Sequence, residues 1–169
     1  MAYVPGDLSE AEKKFVADAA AWNAPEMAYA QEQSTKPLTL SYGLNDSPAG
    51  LAAWFIEKFR AWSDGDFTQV YDRDDLLANL TIYWATQTIG SSIRLYYETA
   101  RDAGAAWGRV EVPTAMAMTR DMFPTPREWA ERFYNVVRWT ELPRGGHLPE
   151  WDVPDLIAAD LRAFYADLS

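Results

Sequence analysis

The 169 residues carry 25 acidic against 15 basic side chains, a formal net charge of −10 without any Lys/Arg cluster, which argues against nucleic acid and anionic membrane surfaces as partners. An apolar fraction of 49% and 14% aromatic residues set the chain apart from disordered sequences, and its length suits one ordinary domain with one core. The absence of cysteine removes both a disulfide framework and a thiolate nucleophile and fits a reducing cytoplasm; no export signal is legible at Met1–Asp7, and no apolar run approaches the ~20 residues that span a bilayer.

Asp7-Leu-Ser-Glu10 reads as a helix start, with Asp7 as N-cap and Glu10 at the capping-box position. The helix is expected to run to about Trp22, where Asn23-Ala-Pro25 ends it. A short segment over 26–33 carries Tyr29, and Ser34-Thr-Lys-Pro37 follows as a loop or turn. Ser47 can cap the next helix, with Pro48 at its first position. Leu51, Trp54, Phe55, Phe59 and Trp62 keep the three-and-four spacing of one buried face. Ser63-Asp-Gly-Asp66 breaks it. Asp72–Asp75 start a further helix, with carboxylates at its positive end, and the pattern continues to about Thr99. Gly90 and two serines interrupt that stretch, so it is either one kinked helix or two.

The pattern changes near residue 104. Arg109–Met118 is an extended run whose regular part begins near Pro113. Pro124–Phe133 is expected as a short helix with Thr125 as cap and Pro126 as its first residue. Val136–Leu142 reads as a strand and Pro154–Leu168 as a last helix. Strand, helix, strand, helix calls for a parallel pair with a crossover. Two such strands are too few to bury both faces of a parallel sheet, so a larger sheet is implied.

The sole histidine, His147, ends the run Arg144-Gly-Gly-His147 just beyond the second strand. Its ordinary pKa of about 6.5 suits a general base near neutral pH, although a Gly-Gly turn followed by a plain loop histidine has the same look. Asp121 occupies the matching place after the first strand. Active sites in open parallel sheets lie at the carboxyl ends of the strands, and an acid followed by a histidine is the tail of the α/β-hydrolase order. Asp46 is better placed to support the helix start at Ser47-Pro48 than to act as a nucleophile.

The chain closely resembles the C-terminal half of the microsomal-type epoxide hydrolases, a branch of the α/β-hydrolase superfamily. The resemblance rests on Gln33-Ser-Thr-Lys-Pro37, Gly43-Leu-Asn-Asp-Ser-Pro-Ala-Gly-Leu-Ala-Ala-Trp54, Glu57-Lys-Phe59, Tyr83-Trp84, Thr88-Ile-Gly-Ser-Ser92, Pro126-Arg-Glu-Trp129 and Arg144-Gly-Gly-His147, spread over nearly the whole chain. It implies an α/β fold: a mostly helical lid over residues 1–103, then over 104–169 the last two strand–helix units of an α/β-hydrolase core with an incomplete sheet.

The resemblance also implies a reaction. A nucleophilic aspartate opens a small apolar epoxide to form an ester, two lid tyrosines donate hydrogen bonds to the epoxide oxygen, and a histidine oriented by an acid activates the hydrolytic water. Carried over by motif position, the tyrosines are Tyr29 and Tyr96, the acid is Asp121 and the base His147. No metal or cofactor is required. Tyr97 competes with Tyr96, since neighbours point about 100° apart on a helix and only one can face a pocket comfortably.

The sequence departs from the family pattern in several places. Neither a nucleophile elbow nor a His-Gly oxyanion loop occurs in it. Glu32 stands where an apolar residue is usual, and Leu148-Pro-Glu-Trp151 replaces aromatic-Ala-Ala after the histidine. The expectation is therefore a chain inactive by itself, lacking an N-terminal half or an oligomeric partner. Its rivals are a partner-binding fragment and a related hydrolase such as a haloalkane dehalogenase. The paired tyrosines speak against the last, because a departing halide needs no hydroxyl donors placed for an oxyanion.

Overall fold

The computed structural model describes residues 6–102, 108–120 and 123–168. In chain order the elements are α1 (Glu10–Glu26), α2 (Ala28–Thr35), α3 (Pro37–Asp46), α4 (Pro48–Ala61), α5 (Phe67–Val70), α6 (Arg73–Thr86), α7 (Ile89–Thr99), β1 (Val110–Met118), α8 (Arg127–Phe133), β2 (Tyr134–Glu141), α9 (Pro149–Asp152) and α10 (Pro154–Asp167). They fall into two compact units. One comprises the chain up to Pro25 with the chain from Gly108 onward, and the other is Glu26–Trp107. None of the described helices is long and apolar enough to cross a membrane.

In the all-helical unit, Leu44, Leu51, Leu80, Ile89 and Ile93 form the core, with Trp54, Phe55, Tyr83 and Trp84 packed against it. Ser47 caps α4 as expected, its Oγ accepting from the Gly50 N–H at 3.0 Å. Asp72 does the same for α6, accepting from Asp74 and Asp75 at 2.7 and 3.3 Å. Of the two arrangements open for the stretch from Asp72 to Thr99, two helices form. The break falls at Gln87, whose φ of 52° is left-handed, rather than at Gly90. Gly90 serves packing instead. A Cβ there would overlap the Ser41 hydroxyl, so its bareness lets α7 approach α3 closely.

One expectation for this unit needs correction. Ser34-Thr-Lys-Pro37 is not a loop. Only Lys36 separates α2 from α3, and Pro37 takes a first-turn position of α3, where its missing N–H leaves no helical bond unmade. The short segment with Tyr29 is a regular helix that buries Ala30 and Gln33. The Gln33 carbonyl accepts from the Trp54 indole N–H at 3.2 Å, which ties α2 to α4.

The second unit is built on a two-stranded sheet. β1 and β2 run parallel, in register from Thr114 opposite Val136 to Met118 opposite Glu141 with one irregularity between Thr114 and Ala115. The crossover through α8 makes this the expected strand–helix–strand connection. Arg138 and Thr140 of β2 both donate to the buried Asp160 carboxylate of α10, at 2.9 and 2.7 Å, and so hold that helix on the sheet. The α8 cap differs from expectation, since Pro126 is the N-cap residue and no side chain caps it.

α1 belongs with the strands. Phe15 meets the rings of Phe123 and Trp129 at centroid distances of 5.5 and 5.2 Å, and Trp22 meets Phe123 at 6.0 Å. Its capping box lies two residues later than the Asp7/Glu10 pairing expected. The Ser9 N–H donates to Glu12 Oε2 at 2.8 Å, and the Glu12 N–H donates back to Ser9 Oγ at 3.2 Å. The reason is tertiary: Glu12, only 1% exposed, accepts from the Arg132 guanidinium of α8, which also reaches Asp7 at 3.0 Å. Pro25 lies inside the last turn of the helix rather than beyond it.

The Arg132 hydrogen bond holds the Glu12 carboxyl below its ordinary value. A lowered folded-state pKa contributes stability that is complete above the unfolded value near 4.5 and is lost as the pH falls through the folded one. Glu12→Gln should therefore melt at a lower temperature than the wild type at neutral pH, with the gap closing in acid. Thermal unfolding followed from pH 7 down into the acid range measures both.

Candidate active site

Candidate residues occur in each of the two units, and each set is described by itself. In the all-helical unit, α2 and α7 bring Tyr29 and Tyr96 together. Their rings meet edge-on at a centroid distance of 6.0 Å and their side chains are hydrogen-bonded. Tyr29 also packs on Trp62 at 5.6 Å. Burial pushes the Tyr29 hydroxyl well above the usual phenol range, and its hydrogen bond with Tyr96 adds to that shift. It therefore stays protonated and able to donate throughout the neutral range. Tyr97 turns away, its ring lying under the Arg101 guanidinium at 3.6 Å. Arg101 in turn donates to the Ser34 carbonyl at 2.9 Å, which fastens the end of α7 to α2.

The other set lies at the carboxyl ends of β1 and β2. The ladder continues past the strands through the Leu142 N–H donating to the Met118 carbonyl at 2.7 Å. Two residues further on, the Arg120 N–H donates to the Gly145 carbonyl at 2.8 Å. The chain leaving β1 and the Gly-Gly turn leaving β2 are thus bonded side by side. Asp121, next after Arg120, lies outside the described residues. His147 is exposed at the end of that turn, immediately before α9.

The turn is held by more than the strands. Gly145 is buried with a φ of 114°, a region that residues with a Cβ rarely enter. A Cβ there would come within 2.8 Å of Val153 Cγ2 and 3.4 Å of Thr119 Cγ2. The Gly146 N–H donates to Asp152 Oδ2 at 2.7 Å, and Arg144 pairs with Asp155 at 3.1 Å. Asp152 closes α9, the short helix formed by the Leu148-Pro-Glu-Trp departure. Sequence reasoning had no place for it, although an acid one helical turn beyond a glycine turn is the signal that could have marked it.

Its parallel strand pair and its run of strand, helix, strand and helix correspond to the last two strand–helix units of an α/β-hydrolase core, not to the whole fold. No protein-family model matches it. It is 38% identical over 166 residues to a putative epoxide hydrolase of Stigmatella aurantiaca, covering 96% of this chain and 38% of that protein. It is also 36% identical over 153 residues to epoxide hydrolase 1 of Sus scrofa, covering 82% of this chain and 34% of that one. The structure of Aspergillus niger epoxide hydrolase superposes with a TM-score of 0.83 at 28% identity, covering 100% of this chain and 44% of the other. The chain matches the C-terminal part of epoxide hydrolases and spans less than half the length of the relatives it matches.

Gly145→Ala tests the turn. The strained backbone costs about 1–3 kcal/mol and the contact with Val153 adds to it. The urea midpoint should fall accordingly, whereas Gly43→Ala, inside α3 where an added Cβ meets nothing, should hold it or raise it slightly.

Proposed function

We propose that this chain supplies the oxygen donors and the water-activating pair of an epoxide hydrolase acting on a small apolar epoxide. The observation that carries the reading is the hydrogen-bonded Tyr29–Tyr96 pair, two phenol donors set edge to edge on adjoining helices. A haloalkane-type reaction has no use for such a pair; an epoxide does, because its oxygen stays attached and gains negative charge as the ring opens.

In the proposed reaction, an aspartate carboxylate from the remainder of the enzyme attacks one epoxide carbon and the C–O bond to that carbon breaks. The released oxygen takes a proton from a tyrosine hydroxyl, and the other tyrosine steadies the developing charge. His147 then removes a proton from water as the water oxygen attacks the ester carbonyl. Asp121, placed by sequence beside the turn, orients the imidazole and stabilises its protonated form. Collapse of the intermediate frees the diol and restores the aspartate, and the proton held by His147 returns the tyrosine to its starting state. Every group ends as it began.

A chimera in which this chain replaces the matching segment of the Stigmatella aurantiaca relative provides the test. It should convert an aryl epoxide to its diol. Tyr29→Phe and Tyr96→Phe should each lower kcat about 10²–10³-fold, the cost of one lost oxyanion donor. His147→Ala should allow a single burst of ester formation and then stall. Full turnover by the doubly substituted Tyr29→Phe/Tyr96→Phe chimera would refute the donor role. The purified chain alone should form no diol.

A further inference from the structure

Tyr29 is enclosed by one group that the reaction above does not use. Lys58 of α4 places its ammonium 4.9 Å from the centroid of the Tyr29 ring and 5.6 Å from that of Trp62, within the range of a cation–π contact. It is fixed there by two carboxylates, Glu57 at 2.9 Å and Glu26 at 3.3 Å, with the Glu26 carbonyl a further acceptor at 3.5 Å. The Lys58 side chain is only 17% exposed, so the ammonium is partly withdrawn from water.

We propose that Lys58 is a positioning residue for Tyr29, fixing the phenol ring by its charge and easing the release of the hydroxyl proton toward an oxygen that is gaining negative charge. Three contacts define the ring: Trp62 and Tyr96 by their rings and Lys58 by its charge. Tyr96 also hydrogen-bonds the Tyr29 side chain. Lys58 adds an electronic effect, because a phenol that gives up proton density gains electron density in its ring, and a cation beside the ring stabilises that change. Burial by itself would tend to discharge the ammonium. Its hydrogen bonds to Glu57 and Glu26 more than offset that tendency and keep it protonated and in place.

The inference rests on the donor role of Tyr29, but its test needs no substrate. The whole chain is made with 2,3,5-trifluorotyrosine, whose phenol is far more acidic than that of tyrosine, so that even the buried residue ionises while Lys58 still carries its charge. The ¹⁹F signal of position 29 is identified by its loss in Tyr29→Phe and titrated. Lys58→Met keeps the aliphatic stem and removes the charge, and should raise the ionisation midpoint of residue 29 by about half a pH unit. Lys58→Arg, which keeps the charge, should leave it in place. Lys58→Gln replaces the methionine variant should that one fail to fold. An unchanged midpoint in the neutral variant, or an equal rise in Lys58→Arg, overturns the proposal. Failure of the donor role would show separately, as undiminished diol formation by Tyr29→Phe in the chimera.

Discussion

A carboxylate withdrawn from water must be matched by a donor or cation, because the desolvation of an unpaired charge exceeds anything that packing around it returns. The joints of this structure are built on that constraint. Glu12 and Arg132 bind the first helix to α8, Asp160 gathers Arg138 and Thr140 of β2, and Glu26 pairs with Lys58. In a chain with 25 acidic and 15 basic residues, cations are the scarcer species. Three of them sit at these joints, where their side chains are between 17% and 28% exposed. Pairs such as Lys13–Glu10 and Arg73–Asp74 lie in solvent and contribute little by comparison.

The same joints hold the candidate chemistry in shape. α2 is tied to α4 through Gln33 and Trp54 and to α7 through Ser34 and Arg101, so the two tyrosines sit on helices fastened to each other from both sides. The histidine turn is held by backbone bonds across two strands, a glycine conformation and a carboxylate on the next helix. Tyr29 and Tyr96 stand on helices, and the turn that carries His147, though not itself regular structure, has hydrogen bonds behind it.

Much of this was legible in the chain. Ser47 and Asp72 announced their helices because caps are local, and the parallel pair followed from the order of its elements. What sequence reasoning missed was decided across the fold. The capping box could be placed on Asp7 and Glu10 or on Ser9 and Glu12, and only Arg132, 120 residues away, selects the second. Pro37 reads as a helix breaker until α2 and α3 abut and it takes a first-turn position. Tyr96 and Tyr97 are equivalent by composition, and differ once Arg101 lies over one ring and Tyr29 against the other. Lys58 stood out in the sequence only as part of the Glu57-Lys-Phe59 run. A family pattern preserves such choices without explaining them, which is why the resemblance could point to Tyr96 where periodicity could not.

The perturbed state of Tyr29 bears on how an epoxide could be opened without a strong acid. A donor that ionised near neutral pH would be lost in just the range where a histidine base is effective, so donor and base would exclude one another. Burial removes that conflict, since it keeps the Tyr29 hydroxyl protonated far above the range in which an imidazole changes charge. The oxygen of an opening epoxide becomes an alkoxide, which is a stronger base than even a buried phenolate, so transfer is still downhill once the ring has broken. In the proposed reaction the raised pKa would delay proton release until the C–O bond has begun to break, so that an intact epoxide is not protonated beforehand. On the proposed reading, placing the donors on one helical unit and the base on a strand turn would let each be tuned by its own surroundings: apolar rings for the phenols, backbone bonds and Asp152 for the turn that carries His147.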